Sequence, residues 1–229
     1  MAQSIRVGLI DGDPDIRFGR RLAISATPGM EIVFESETAT DALAKAPNAL
    51  IDCLVIDYRT RGLDGLSLAR RLIEEYLARG ESVPAIIVTA PYFTPQLQIE
   101  SIRAGASDLI TQDASIEELL KSIRTSELKD EEPDYSELAR FFESSAVTVT
   151  DSASLLIKIG FLDERERAAL ASFQRRKSDG EIAADIDLPL YRIRKLMRQV
   201  MHKCGFATRA QLFLALYEAG LIEGEQIEG

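Results

Sequence analysis

A chain of 229 residues with 46% hydrophobic and 28% charged side chains carries enough apolar material for two modest cores. No apolar run approaches the ~20 residues that span a bilayer, and MAQSIRVGLID passes straight into a strand pattern without a signal-peptide core, so a cytoplasmic, non-membrane protein is expected. A single histidine, His202, and two cysteines 151 positions apart, Cys53 and Cys204, argue against zinc, a disulfide and histidine-based catalysis.

The first ~125 residues alternate strand and helix signals. Short apolar runs at Val7–Ile10, Ile32–Phe34, Cys53–Ile56 and Ala85–Val88 read as strands, with a weaker fifth at Leu109-Ile110. Between and after them, Asp15–Ser25, Thr40–Ala46, Leu66–Arg79, Pro95–Ala104 and Ser115–Ile123 read as helices. Continuous apolar strands alternating with helices predict a doubly wound α/β domain over residues 1–125 with a parallel sheet buried on both faces. Residues 126–154 change character and read as an acidic linker. Within it a helix is expected from Tyr135 to Glu143, while AVTVTDSA is either extended or disordered. From about residue 155 to 229 every signal is helical, which predicts a small all-α domain.

The net charge of −10 is unevenly spread. Residues 158–216 hold 12 Lys/Arg against 7 Asp/Glu, so a basic domain sits on an acidic chain. Its basic segment, residues 189–203, contains Arg192, Arg194, Lys195, Arg198 and Lys203 and no carboxylate. At 100° per residue, Ile193, Leu196, Met197, Val200 and Cys204 share one helical face, and Arg194, Lys195 and Arg198 the opposite one. A short helix over residues 178–185 and a turn at Asp187-Leu188-Pro189 precede it. Helix, short turn and basic helix form the arrangement whose second helix enters the major groove of DNA. The plainer reading of a basic helix standing alone is a solvated surface.

In open α/β sheets, ligands sit beyond the carboxyl ends of the strands. Strand 1 ends in Asp11-Gly12-Asp13, strand 3 in Asp57, strand 4 in Thr89-Ala90 and strand 5 in Thr111-Gln112-Asp113. Asp11 and Asp57 are placed to share a hard cation such as Mg²⁺. Asp57 would then be a nucleophile toward a phosphoryl group, with Thr89 holding its oxygens. Taken singly, each aspartate reads more plainly as the cap of the helix that follows it.

Residues 5–125 resemble the receiver domain of bacterial two-component response regulators. Asp57-Tyr58-Arg59-Thr60-Arg61-Gly62-Leu63-Asp64-Gly65 resembles that family's phosphoacceptor aspartate and its following loop. Val88-Thr89-Ala90 and Ala104-Gly105-Ala106 resemble its strand-4 and pre-strand-5 motifs. Residues 160–219 resemble the four-helix, LuxR-type helix-turn-helix domain of the NarL/FixJ group, through Leu162–Glu166, Ser178–Ala183, Leu188–Leu196 and Lys203–Leu212. The resemblance implies a flavodoxin-like (βα)5 receiver with phosphoacceptor Asp57, Thr89 beside it, and Mg²⁺ on Asp11 and Asp57, with Asp13, one residue past the family's second acid, as a further candidate ligand. It implies double-stranded DNA, read as two half-sites by a homodimer through Arg194, Lys195 and Arg198, to which the basic segment adds Arg192 and Lys203 as candidate contacts. It also implies a sensor histidine kinase as partner, and dimerisation through Gln211–Gly220 with Leu212, Phe213 and Leu216 as its apolar face.

The departures bear on phosphorylation. Gly12 stands where the family has a second acid that ligates the metal, which weakens the Mg²⁺ site, and Gln112 stands for its strand-5 lysine. Leu109 replaces an aromatic residue, Arg61 a loop proline, and Pro189 the serine that caps the recognition helix. Losing one preorganised charged donor is worth ~10²–10³ in rate. The alternative is compensation, with Asp13 as the metal ligand and Arg59 or Arg61 in place of the lysine. The expectation is therefore a transcription regulator, not an enzyme, with an atypical receiver whose phosphorylation is impaired or dispensable. The alternatives are a conventional phosphorylation-activated regulator, a ligand-gated regulator whose receiver pocket binds a small molecule, and a partner-sequestering receiver protein in which Pro189 disables the recognition helix. A flavin enzyme on the same fold is disfavoured because DGDPD is anionic where a phosphate would sit.

Overall fold

The structure, a computed structural model, describes residues 4–126, 134–145 and 152–222. The chain divides into two compact units, Met1–Lys129 and Asp130–Gly229. The acidic stretch 127–133, residues 146–151 of the segment expected to be extended or disordered, and the tail 223–229 lie outside the described residues.

The first unit is an alternating array. Strands β1 (Ile5–Ile10), β2 (Met30–Ser36), β3 (Cys53–Asp57), β4 (Ala85–Ala90) and β5 (Asp108–Thr111) pair in parallel in the order β2-β1-β3-β4-β5. Helices α1 (Pro14–Ser25), α2 (Ala39–Lys45), α3 (Gly65–Ala78), α4 (Pro95–Ala104) and α5 (Ile116–Ser126) follow the strands in turn, with a 3-10 turn at Ala46–Asn48. Every residue of β3 and β4 is buried, as expected for central strands covered on both faces. Val7, Leu9, Val55 and Ile87 pack with Ile24 of α1 and Leu119 and Ile123 of α5 in one core. The chain order reverses between β1 and β3, so their carboxyl ends, Asp11 and Asp57, flank the switch point where such sheets bind ligands.

The second unit is all helical among the described residues: α6 (Tyr135–Ser144), α7 (Ala153–Gly160), α8 (Glu164–Gln174), α9 (Asp179–Ile186), α10 (Leu190–Cys204) and α11 (Arg209–Glu218). Helices α8 and α9 each begin with a complete capping box, Asp163/Glu166 and Ser178/Glu181. The expected linker reading is corrected for its helix. Tyr135, Ala139 and Phe142 of α6 are buried in the second unit, where Tyr135 meets the rings of Phe173 and Phe213 at 5.0 and 5.2 Å. Phe142 lies 6.2 Å from Phe213 and 5.5 Å from Tyr217. Acidic composition marked the segment as solvent-facing, but its aromatic residues recur at helical spacing and close the core. No described helix is long and apolar enough to cross a membrane.

Candidate functional site

The carboxylate site forms at the ends of β1, β3, β4 and β5. Asp57 ends β3 at 5% exposure, and the register pairs it with Thr89 of β4. Gly65 makes the return into α3 feasible, since a Cβ there would fall 2.5 Å from the Asp57 carbonyl oxygen. Around the Asp57 carboxylate, Gln112 Nε2 donates to Oδ1 at 2.5 Å, the Thr89 hydroxyl approaches Oδ1 at 3.4 Å, and the Arg59 backbone N–H donates to Oδ2 at 2.9 Å.

Asp11 is more deeply buried, at 1% exposure. The Asp13 backbone N–H donates to its Oδ1 at 2.9 Å, and Arg20 Nη1 donates to its Oδ2 at 2.7 Å. Arg20 comes from α1 and is itself only 8% exposed. One turn earlier on the same helix, Arg17 Nη1 donates to the Asp11 carbonyl at 2.5 Å and Nη2 to Glu37 at 2.6 Å. Burial pushes the Asp11 carboxyl above its usual range, partly opposed by the Asp13 N–H and the Arg20 charge. Burial lowers the Arg20 guanidinium, opposed by the charges of Asp11 and then Asp57.

Three expectations change. Asp13 does not join the acids: it is exposed and caps α1, accepting from the N–H groups of Asp15 and Ile16. Among the described residues, no three acidic or other metal-ligating side chains are grouped to hold a metal, so the set Asp11, Asp13 and Asp57 is withdrawn as a Mg²⁺ site. Mg²⁺, which receiver domains bind at this acidic site, does not fit the donors present. Gly12 offers no ligand, Asp13 is turned away, and a buried guanidinium stands against Asp11, whose oxygens, like those of Asp57, each accept an N–H donor. Neither loop arginine takes the place of the lysine on Asp57. Arg59 contributes its backbone N–H, Arg61 is exposed, and Gln112 makes the side-chain contact. Arg20 was missed by the sequence reading, although an arginine four residues before Ile24 on the core face of α1 was the available signal.

The second candidate surface is α10. Ile193, Met197, Val200 and Cys204 are buried along it, while Arg192, Lys195 and Arg198 are exposed. Asp187 ends α9 in the left-handed conformation at φ 52°, so it caps α9 and not α10. Pro189 is the N-cap of α10 without a side-chain cap, and its carbonyl accepts the Arg192 and Ile193 N–H groups at 2.8 and 3.2 Å. Pro189 therefore does not disable the helix start. Arg194 Nε lies 3.9 Å from Asp179 Oδ2, and Asp179 is also paired at 2.9 Å with the buried Arg209 of α11. Lys203 Nζ is held at 2.6 Å by Glu166, a carboxylate 2% exposed, so its charge serves the α8–α10 contact. The expected dimerisation face is also corrected. Leu212, Phe213 and Leu216 are 0% exposed within one protomer, and Phe213 is in ring contact with α6 and α8 residues.

The family profile "Response regulator receiver domain" matches residues 7–124. The nitrate/nitrite response regulator protein NarP of Escherichia coli is 23% identical over 220 residues, 96% of this chain and 98% of NarP. The transcriptional regulatory protein LiaR of Bacillus subtilis is 23% identical over 207 residues, 90% of this chain and 94% of LiaR. The DNA-binding transcriptional activator DevR/DosR of Mycobacterium tuberculosis is 28% identical over 120 residues, 52% of this chain; that match spans 53% of DevR/DosR, about half its length. Among solved structures, the Salmonella typhimurium RcsB response regulator superposes with a TM-score of 0.51 at 18% identity. It covers 95% of this chain and 98% of its own, a likeness of fold. The chain belongs to the response regulators, with a receiver domain at residues 7–124 and NarL/LuxR-type regulators among its relatives.

Proposed function

We propose that the protein is a DNA-binding transcription regulator that engages double-stranded DNA through α10 as a dimer, with a receiver whose phosphorylation on Asp57 is impaired. The observation that carries this reading is the division of α10: four apolar residues buried, and Arg192, Lys195 and Arg198 on the exposed side, after a short helix and a three-residue turn. Full-length similarity to LiaR and NarP supports it. Arg194, held toward Asp179, is a phosphate-contacting candidate, and Lys203, held by Glu166, is a weaker one. With Leu212, Phe213 and Leu216 covered in their own protomer, the dimer contact uses other surfaces.

Impaired phosphorylation is supported by Gly12 and by Gln112, a neutral donor on the would-be phosphoacceptor. One observation favours the conventional, kinase-driven reading: Asp57 and Thr89 keep their places at adjacent strand ends. Intact-protein mass spectrometry after acetyl phosphate with Mg²⁺, beside an Asp57→Asn control, separates the two. Impairment predicts no stoichiometric adduct and little change in DNA affinity. A full adduct with an affinity rise of about tenfold, 1.4 kcal/mol, establishes the conventional regulator instead. Absence of any salt-sensitive DNA binding refutes both.

A further inference from the structure

We propose that Arg20 is a built-in counter-cation at the receiver's carboxylate site: its buried guanidinium stands in for a divalent ion beside Asp11 and Asp57, and makes the site indifferent to Mg²⁺. The proposal rests on reading the first unit as a receiver with impaired phosphorylation, but not on whether the protein binds DNA.

Asp11 and Asp57 end neighbouring strands at 1% and 5% exposure. Buried carboxylates at neighbouring strand ends call for a compensating positive charge. A divalent cation is one solution and an arginine another, because a guanidinium remains protonated where a lysine or histidine would give its proton up. Arg20 meets the requirement. It contacts Asp11 at 2.7 Å, its charge acts on Asp57 as well, and it is too buried to be solvated elsewhere. Helix α1 fixes it there, with Arg17 anchored to the Asp11 carbonyl one turn earlier and Ile24 in the core one turn later.

The surroundings are built for an arginine and not for an ion. Mg²⁺ demands near-octahedral oxygen ligation and gives up its water reluctantly. Here the second acid is Gly12, and a Cβ at that position would already stand 3.3 Å from the Arg61 side chain. Asp13 is turned away to cap α1, and each carboxylate oxygen of Asp11 and Asp57 already accepts one N–H donor, the Asp11 Oδ2 donor being a guanidinium. An entering ion would have to expel a buried guanidinium and leave it unpaired, a strongly unfavourable exchange.

The test uses the full-length protein, Mg²⁺ or its paramagnetic substitute Mn²⁺ as the probe, and neither phosphodonor nor DNA. Its result is therefore separable from the phosphorylation and DNA-binding experiments. In wild type, millimolar Mg²⁺ leaves the melting temperature of the receiver unchanged, and Mn²⁺ broadens no amide signal at residues 57–60. Arg20→Met, which keeps an apolar stem and removes the charge, acquires Mn²⁺ binding at those amides at least about tenfold tighter than wild type. Gly12→Asp alone binds weakly, and Gly12→Asp with Arg20→Met binds best. If Arg20→Met folds only when Mg²⁺ is added, the ion has replaced the guanidinium, which is the same conclusion. Should Arg20→Met not fold in either condition, Arg20→Gln takes its place. Site-specific Mn²⁺ broadening in wild type overturns the proposal. So does a folded Arg20→Met or Arg20→Gln variant that binds Mn²⁺ no better than wild type.

Discussion

Charged side chains in this protein differ in what they are worth according to burial. Asp179 and Arg209 are 1% and 6% exposed and paired at 2.9 Å across 30 positions, fastening the start of α9 to the start of α11. Asp179→Ala leaves the guanidinium buried and uncompensated, so a loss of about 3–5 kcal/mol is expected from the second unit. Glu75→Ala removes the charged partner of the solvent-screened Arg79, which keeps its hydrogen bonds to Pro47 and Asn48, and is expected to cost only about 0.3–0.5 kcal/mol. Denaturant titration of both variants checks the contrast, and comparable losses would show that burial is not what separates them.

Among the elements, α6 illustrates how a helix finds its domain. Its acidic residues face water while Tyr135 and Phe142 enter a cluster of Phe173, Phe213 and Tyr217. Phe142 is 0% exposed, so Phe142→Ala should cost about 3–5 kcal/mol. The loss should fall on the transition of the second unit and leave that of the receiver in place, which calorimetry resolves. Helix α9 carries a pH dependence. The hydrogen bond from Lys177, then that from Ser172, hold the Asp185 carboxyl below the ordinary carboxylate range. The Ser178 N–H, then its hydroxyl, do the same for Glu181. A depressed folded-state value means stabilisation that is present above the unfolded value and lost as pH falls through the folded one. The second unit should therefore weaken as pH drops below about 4. Asp185→Asn should flatten that decline in unfolding midpoints measured between neutral and acid pH.

For the molecule as a whole, an acidic chain carries one basic segment, so its proposed affinity for DNA depends on local and not net charge. Each phosphate neutralised adds roughly 0.9 to the slope of log affinity against log salt. Arg192→Ala, near the start of α10, should flatten that slope by about one unit and weaken specific and non-specific binding alike. Lys195→Ala or Arg198→Ala should cost ~1–3 kcal/mol of discrimination between selected and random duplexes. Competition gel shifts at several salt concentrations read both quantities. Wild-type behaviour in all three variants would reduce the face to a solvated surface.

Periodicity and composition determined the two-part architecture, the five strand–helix pairs, the strand-end positions of Asp11, Asp57 and Thr89, and the apolar face of α10, although Arg194 of its expected cationic face is half-buried beside Asp179. These are local properties: alternation, apolar spacing and turn residues report which side of an element will be covered. They do not report what covers it. The apolar stripe of α11 looked like a surface for a second copy until α6, some 70 positions earlier in the chain, was found against it. Lys203 looked like one more DNA contact until Glu166, 37 positions away, was found holding it. Gln112 looked merely neutral, and the structure made it the closest side-chain donor to Asp57. Arg20 carried no signal beyond being charged on a buried face, because the identity of its partner depends on where the ends of β1 and β3 meet. Pairing across long sequence separations is fixed by how whole elements pack, and only the tertiary structure decided it.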